Sequence, residues 1–181
     1  MVARNLAEFK QTTGIEMPNL AYLSLGSNVG DREAHLRDAI ARLQSQGRVT
    51  AVSSLYETEP VEVTEQAWFL NCAAALETTQ PPEELMAALL NIEREMGRQR
   101  TQKKGPRIID IDILLFSDKI IDSPDLTVPH PSMHQRRFVL QPLAEIAPDA
   151  RHPKLKKTIR ELLDALPSGQ TVRHFKGNRQ R

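Results

Sequence analysis

Residues 107–116 read Arg107-Ile108-Ile109-Asp110-Ile111-Asp112-Ile113-Leu114-Leu115-Phe116. Apolar side chains alternate here with carboxylates, and alternate residues of a strand share a face. Ile109, Ile111, Ile113 and Leu115 therefore predict one apolar face turned to a core. Asp110 and Asp112 project together from the other face, roughly 7 Å apart at ~3.3 Å of rise per residue. Two carboxylates so close push each other's pKa upward unless a cation lies between them. A solvated strand face is the plainer reading. Aspartate is a poor strand former, however, and propensity does not explain two on one strand.

Toward the N-terminus, Leu20–Leu25 alternates as a first strand and runs into the turn Gly26-Ser27-Asn28-Val29-Gly30-Asp31. Asp31 is placed to cap a helix in which Leu36, Ala39, Ile40 and Leu43 keep helical spacing and which Gly47 ends. Val49–Glu57 predicts a second strand and Phe69–Glu77 a third, with Thr58–Ala67 a solvated loop between them. Pro81 and Pro82 open a second helix, with Leu85, Leu89, Ile92 and Met96 along one stripe and Gly97 at its end. With 107–116 as the fourth strand the order is β-α-β-β-α-β. That is an α+β, ferredoxin-like arrangement, an antiparallel sheet with helices packed on one face. Short C-terminal helices are expected near 136–147 and 157–166, after a turn at Ile120–Ile121 and a proline-rich bend at 129–131. One domain, 19–166, is expected between an N-terminal extension, 1–18, and a basic tail, 167–181.

The chain has 181 residues, enough for one domain with its own core. Lys and Arg number 24 against 23 Asp and Glu, a formal charge of +1. Such balance argues against duplex nucleic acid or an anionic membrane as a partner. The single cysteine, Cys72, excludes an internal disulfide or a cysteine-based zinc site, and its apolar neighbours predict a small buried hydrophobe. The first 18 residues lack the basic and apolar regions of a signal peptide. No run approaches the roughly 20 apolar residues of a membrane span. A reducing cytoplasm is the expected compartment. Aromatics are scarce, with one Trp, two Tyr and five Phe, so the position of each matters.

The overall charge balance hides a local asymmetry. Arg98 to Arg107 carries five basic residues in ten and no acidic one, directly before the aspartate pair. A run so short, without interleaved aromatics, suits a polyphosphate better than a nucleic-acid strand; a plain solvated loop is the alternative. Magnesium takes one or two carboxylates and completes its octahedron with water and phosphate oxygens, and two such ions can clamp a phosphoryl transfer. There is no G-x-x-x-x-G-K-[S/T], no G-x-G-x-x-G, and no H-R-D or D-F-G element, so a nucleotide would be held by side chains. On the third strand Phe69 and Asn71 share a face, and an aromatic plane beside an amide can stack a flat heterocycle and read its edge, although such a pair taken alone is more often edge packing. His130, fixed between Pro129 and Pro131, suits a phosphate donor, whereas His130 and His134 lack the spacing of a zinc site.

Together these segments resemble the 6-hydroxymethyl-7,8-dihydropterin pyrophosphokinases of folate biosynthesis, from about Ala21 to Pro148. The most specific motif is Lys103-x-Gly105-Pro106-Arg107-x-x-Asp110-Ile111-Asp112-Ile113-Leu114. Gly26-Ser27-Asn28, Tyr56-x-Thr58-x-Pro60, Phe69-x-Asn71, Glu93-x-x-x-Gly97-Arg98, Val128-Pro129-His130 and Arg136-x-Phe138 support it in the family's order. The resemblance implies transfer of the β,γ-pyrophosphoryl group of ATP to the pterin hydroxymethyl, releasing AMP. It implies two Mg²⁺ ions held by Asp110 and Asp112, with Arg98 and Arg107 completing the catalytic set. Thr58, Pro60, Val61, Phe69, Asn71 and Phe138 would hold the pterin. ATP would fall to Glu93, Arg98, Arg100, Lys103, Lys104, Arg107, Ile113, His130 and Arg136. The implied partners are these two small molecules, with no nucleic acid and no membrane, and a monomer is expected. Three positions depart from relatives: Lys104 where some carry tryptophan, Leu90 where some carry glutamine, and Phe69 where others have tyrosine.

The rival class is a non-catalytic ferredoxin-like module for a small molecule or RNA, since this fold hosts many functions. An RNA-binding version calls for aromatics where the fourth strand has carboxylates. Loops 58–68 and 98–106 lack apolar anchors and are expected to move when no ligand is bound.

Overall fold

The structure, a computed structural model, describes residues 17–60, 65–98 and 105–177. Expectations placed on Val61, Arg100, Lys103 and Lys104, and on most of the extension at 1–18, lie outside the described residues. The elements run β1 (Asn19–Ser27), α1 (Arg32–Leu43), β2 (Arg48–Val52), β3 (Tyr56–Thr58), β4 (Phe69–Thr78), α2 (Pro82–Glu95) and β5 (Asp110–Phe116). A hairpin of β6 (Ile121–Asp122) and β7 (Thr127–Val128) follows, then α3 (Arg137–Ile146), α4 (Ile159–Asp164) and β8 (Val172–His174). The main sheet is ordered β5-β1-β4-β3-β8, with β2 also on β4, and its pairings are antiparallel. The fourth strand of the β-α-β-β-α-β unit lies beside the first, the ferredoxin-like order.

Each face has its own apolar cluster. Leu23, Leu25, Leu70, Leu76, Ile111 and Ile113 from the sheet meet Leu36 and Leu43 of α1 and Leu85 and Leu89 of α2. Full burial of each such side chain stabilises by about 1.5–3 kcal/mol. Local signals agree with this packing: Asp31 Oδ1 accepts from the Ala34 amide at 3.0 Å, and Pro82 starts α2. Cys72 is 1% exposed among these residues, and burial pushes its thiol up to about 12. On the opposite face α3 and α4 pack Val139, Leu140, Leu143 and Leu162 against Leu114, Leu115 and Ala73. The first two helices thus take one face and the C-terminal helices the other.

Two strand readings need correction. The stretch 49–57 is not one strand, because Ser53 interrupts it. The Ser53 amide donates to the Ala73 carbonyl and its hydroxyl accepts from the Ala73 amide, both at 2.9 Å, so a side chain replaces a ladder group. The expected alternation of Ile109, Ile111, Ile113 and Leu115 also breaks. Tyr22 pairs with Leu115 but Leu23 with Ile113, so Leu114 is an extra residue in β5. Leu114 and Leu115 therefore both join the second cluster, and Phe116 returns to the first. Asp110 and Asp112, ahead of the shift, stay on the second face.

Within the basic tail, Val172–His174 add an edge strand: Thr58 pairs with Val172 and Tyr56 with His174. Among the described residues, no helix is long and apolar enough to cross a membrane.

Candidate active site

Helix α3 covers only part of the second face. Beside it, a cavity of about 420 Å³ opens over the ends of β1, β4 and β5. Three strands set its floor: Gly26 lies opposite Asn71 on one side and opposite Asp110 on the other. A Cβ at position 26 would sit 2.6 Å from Asn71 Oδ1, so the amide is laid against bare backbone that only glycine leaves open. Asn71 Nδ2 donates to Thr58 Oγ1 at 2.7 Å, which fixes the amide's orientation. Phe69 and Phe138 contribute aromatic surface to the same cavity, and the Arg136 guanidinium stands 5.7 Å from the Phe138 ring centre.

The β5 side is charged. Asp110 accepts from Arg98 at 2.6 Å through Oδ1 and from Arg107 through Oδ2. Arg98 also pairs with Glu93 at 2.5 Å. Glu93 is 2% exposed, and its other oxygen accepts from the Ile111 amide at 2.8 Å. This carboxylate ties α2 to β5 and aims Arg98 at Asp110. Asp112 is pushed up to about 7, first by burial and then by the charges of Asp110 and Glu93, against the pull of Arg107 and Arg136. His130 is held below its ordinary value by burial and by Arg136. Its Nδ1 accepts from the Ser132 amide at 3.2 Å, so the neutral ring carries its proton on Nε2 as a donor.

Of the residues singled out from sequence, the cavity brings together Thr58, Phe69, Asn71, Arg107, Asp110, Asp112, Arg136 and Phe138. Arg98 and Glu93 stand behind Asp110, and His130 lies within electrostatic reach of Asp110 and Arg136. Pro60 is buried and is not part of the cavity wall. Ile113 has its side chain in the main core, 3% exposed, which leaves only its backbone for a nucleotide. Ser24, Gln66, Gln135 and Gln170 also line the cavity, and sequence reasoning missed them. Ser24 had a signal, since it lies two residues before Gly26 and so shares its face. The last residues of the 58–68 loop are tethered: Asn28 donates to Gln66 at 3.0 Å and to the Ala67 carbonyl at 3.2 Å, and Arg32 donates to the Trp68 carbonyl at 2.7 Å.

On one face of a ferredoxin-like sheet the cavity thus sets a carboxylate pair and arginines at one side and aromatic and amide groups at the other. The profile of the 7,8-dihydro-6-hydroxymethylpterin-pyrophosphokinase family matches residues 22–148. The 2-amino-4-hydroxy-6-hydroxymethyldihydropteridine pyrophosphokinase of Bacillus subtilis is 52% identical over 132 residues, 72% of this chain and 79% of the relative. The enzyme of the same name from Methylorubrum extorquens is 45% identical over 152 residues, 82% of this chain and 95% of the relative. A crystal structure of Plasmodium falciparum HPPK-DHPS A437G with STZ-DHP superposes with a TM-score of 0.64 at 18% identity. The match covers 84% of this chain and 46% of that one, and it speaks to the fold alone. The chain belongs to the 7,8-dihydro-6-hydroxymethylpterin-pyrophosphokinase family. Its class of reaction is ATP-dependent pyrophosphoryl transfer to hydroxymethyldihydropterin in folate synthesis.

Proposed function

We propose that the pterin lies over the Asn71–Gly26 end of the cavity and that the triphosphate of ATP lies at the Asp110–Asp112 end. The carrying observation is the row Asn71–Gly26–Asp110, which sets a heterocycle reader and an anionic anchor on one sheet face, roughly 10 Å apart across two strand spacings. Phe69 and Phe138 stack the pterin, and Asn71, oriented by Thr58, reads its edge. Arg98, Arg107, Arg136 and the Nε2 proton of His130 face the phosphate oxygens, with Glu93 positioning Arg98.

Among the described residues no group of three or more His, Cys, Asp or Glu side chains forms an ion cage. The donor set present is a pair of carboxylates on one strand face, which fits hard ions that take most of their ligands from water and phosphate. Asp112, crowded by two negative neighbours, gains from a cation. Asp110 and Asp112 would hold two Mg²⁺ ions, and the chemistry supplied there is charge neutralisation on the triphosphate and a lower pKa at the substrate hydroxyl. The residues then have to align the reactants. The hydroxymethyl oxygen bonds to the β-phosphorus, the bond from that phosphorus to the α–β bridging oxygen breaks, AMP leaves with that oxygen, and the hydroxyl proton is released. Incubation with ATP, Mg²⁺ and hydroxymethyldihydropterin tests the reading: AMP and pterin diphosphate should appear in equal amounts. ADP, or no nucleotide product, would overturn it.

A further inference from the structure

Two neighbouring rows of residues cross the β4-β3-β8 side of the sheet. Phe69, Thr58 and Val172 form one, and Leu70, Glu57 and Arg173 form the other. Successive residues of a strand point to opposite faces. Phe69 and Thr58 accordingly turn their side chains to the cavity, and Leu70 turns its own into the main core on the opposite face. On that opposite face four residues hold one another. Glu57 Oε1 pairs with Arg32 at 2.8 Å, and Oε2 pairs with Arg173 at 3.0 Å. Arg32 also donates to the Trp68 carbonyl at 2.7 Å, and the Arg173 guanidinium lies 4.6 Å from the centre of the Trp68 ring. Trp68 is thus held by its backbone and by its ring, directly before Phe69 in the chain. Arg173 is itself fastened on both sides: the Thr171 amide donates to Glu59 at 2.7 Å, and the Phe175 amide donates to the Leu55 carbonyl at 2.8 Å.

An exposed ion pair alone contributes little. Here one planar guanidinium serves two contacts at once, a charge pair with the largely buried Glu57 and a cation–π contact with Trp68. Glu57 and Trp68 each immediately precede a residue of the cavity, Thr58 and Phe69. We propose that Arg173 is a positioning residue for the pterin: from the face opposite the cavity it sets Trp68, and through Trp68 the angle at which Phe69 meets the heterocycle. The proposal rests on the placement of the pterin given above. Aromatic planes attract in offset or edge-to-face arrangements, so a tilted Phe69 stacks less well. The aspartates that face ATP lie on β5, two strands away from β4, and only the pterin should feel the change.

Arg173→Ala tests this, and because the Arg173 side chain is 61% exposed the variant should keep its fold. KM for hydroxymethyldihydropterin should rise about fivefold, with kcat and KM for ATP each within twofold of the wild type. A pterin KM within twofold of the wild type, or an equal rise for both substrates, overturns the proposal. A second arm asks whether Trp68 carries the effect. In a Trp68→Leu background Arg173→Ala should raise the pterin KM less than twofold, since the contact it would break is already gone. The full rise in that background overturns the proposal. Trp68 is the chain's single tryptophan, so acrylamide quenching of the intrinsic fluorescence reports its cover without any substrate present. Quenching should be stronger in Arg173→Ala than in the wild type, and equal quenching also overturns the proposal. If the wild type turns over no pterin at all, the functional reading fails and this proposal falls with it. Normal wild-type turnover beside an unmoved pterin KM in the variant removes Arg173 alone.

Discussion

Asn71 and Asp110 are held in one row on either side of Gly26, each paired with that residue across its own strand ladder. The two ends of the cavity are therefore spaced by the sheet itself rather than by loops. Gly26→Ala would set a methyl 2.6 Å from Asn71 Oδ1 and displace the amide from Thr58. Overpacking of this kind costs about 1–3 kcal/mol. The variant should fold with a lower Tm and bind hydroxymethyldihydropterin at least about tenfold more weakly, while ATP binding holds. Isothermal titration with each substrate checks it, and equal weakening for both would contradict the row's division of labour.

Asp112→Asn keeps shape and removes a charge that burial, Asp110 and Glu93 all disfavour. Turnover should fall by about a hundredfold or more, the scale on which lost electrostatic stabilisation of a transition state is felt. Tm in metal-free buffer should stay level or rise, because the core side of β5 is untouched and a costly carboxylate is gone. AMP release and thermal melts on one preparation give both readouts. Near-normal AMP formation with Mg²⁺ present would remove Asp112 from the chemistry.

How much was legible beforehand depends on range. The aspartate pair and the strand that bears it are local, written in a period of two over 107–116. Glu93 came only with the family resemblance, although it sits four residues after Leu89 on the buried stripe of α2, where an unsupported carboxylate would be unstable. The turn of Leu115 to the other face was not legible. It depends on how β5 meets Tyr22 and Leu23 of a strand some ninety residues earlier in the chain. Gln170 was hidden for the same reason, because nothing near residue 170 indicates that Phe138 is its partner. Three residues of β8 are also too few for alternation to register as a strand.

Besides its apolar packing, the helix carrying Phe138 is tied to the sheet by a tyrosine hydroxyl. Tyr56 is 5% exposed, and its hydroxyl donates to Glu145 of α3 at 2.7 Å; Glu145 also accepts from the Ser54 amide at 3.0 Å. Tyr56→Phe keeps the ring in place and deletes that bond. A loss of about 1.5–3 kcal/mol is expected, the scale of a hydrogen bond to an ionised group. Urea denaturation with an unchanged m-value should report it. Stability equal to the wild type would mean that the Ser54 contacts suffice to dock α3.

Glu57 joins α1 to the C-terminal strand, pairing with Arg32 at 2.8 Å and with Arg173 at 3.0 Å. The hydrogen bond from Arg32 holds its carboxyl below the usual value of 4.5, with Arg173 adding to the effect against burial. A folded-state pKa below the unfolded one means that the unfolded chain binds the proton first as pH falls. The stabilisation is therefore fully present above the usual carboxylate range and is lost as pH drops through the folded value. Arg173 is 61% exposed, so most of the contribution belongs to Arg32, and the whole should be about 1 kcal/mol. Melting curves of the wild type and Glu57→Gln should differ by a constant amount at neutral pH and converge in acid. Curves that stay parallel to the lowest pH would show that shape, not charge, is what position 57 provides.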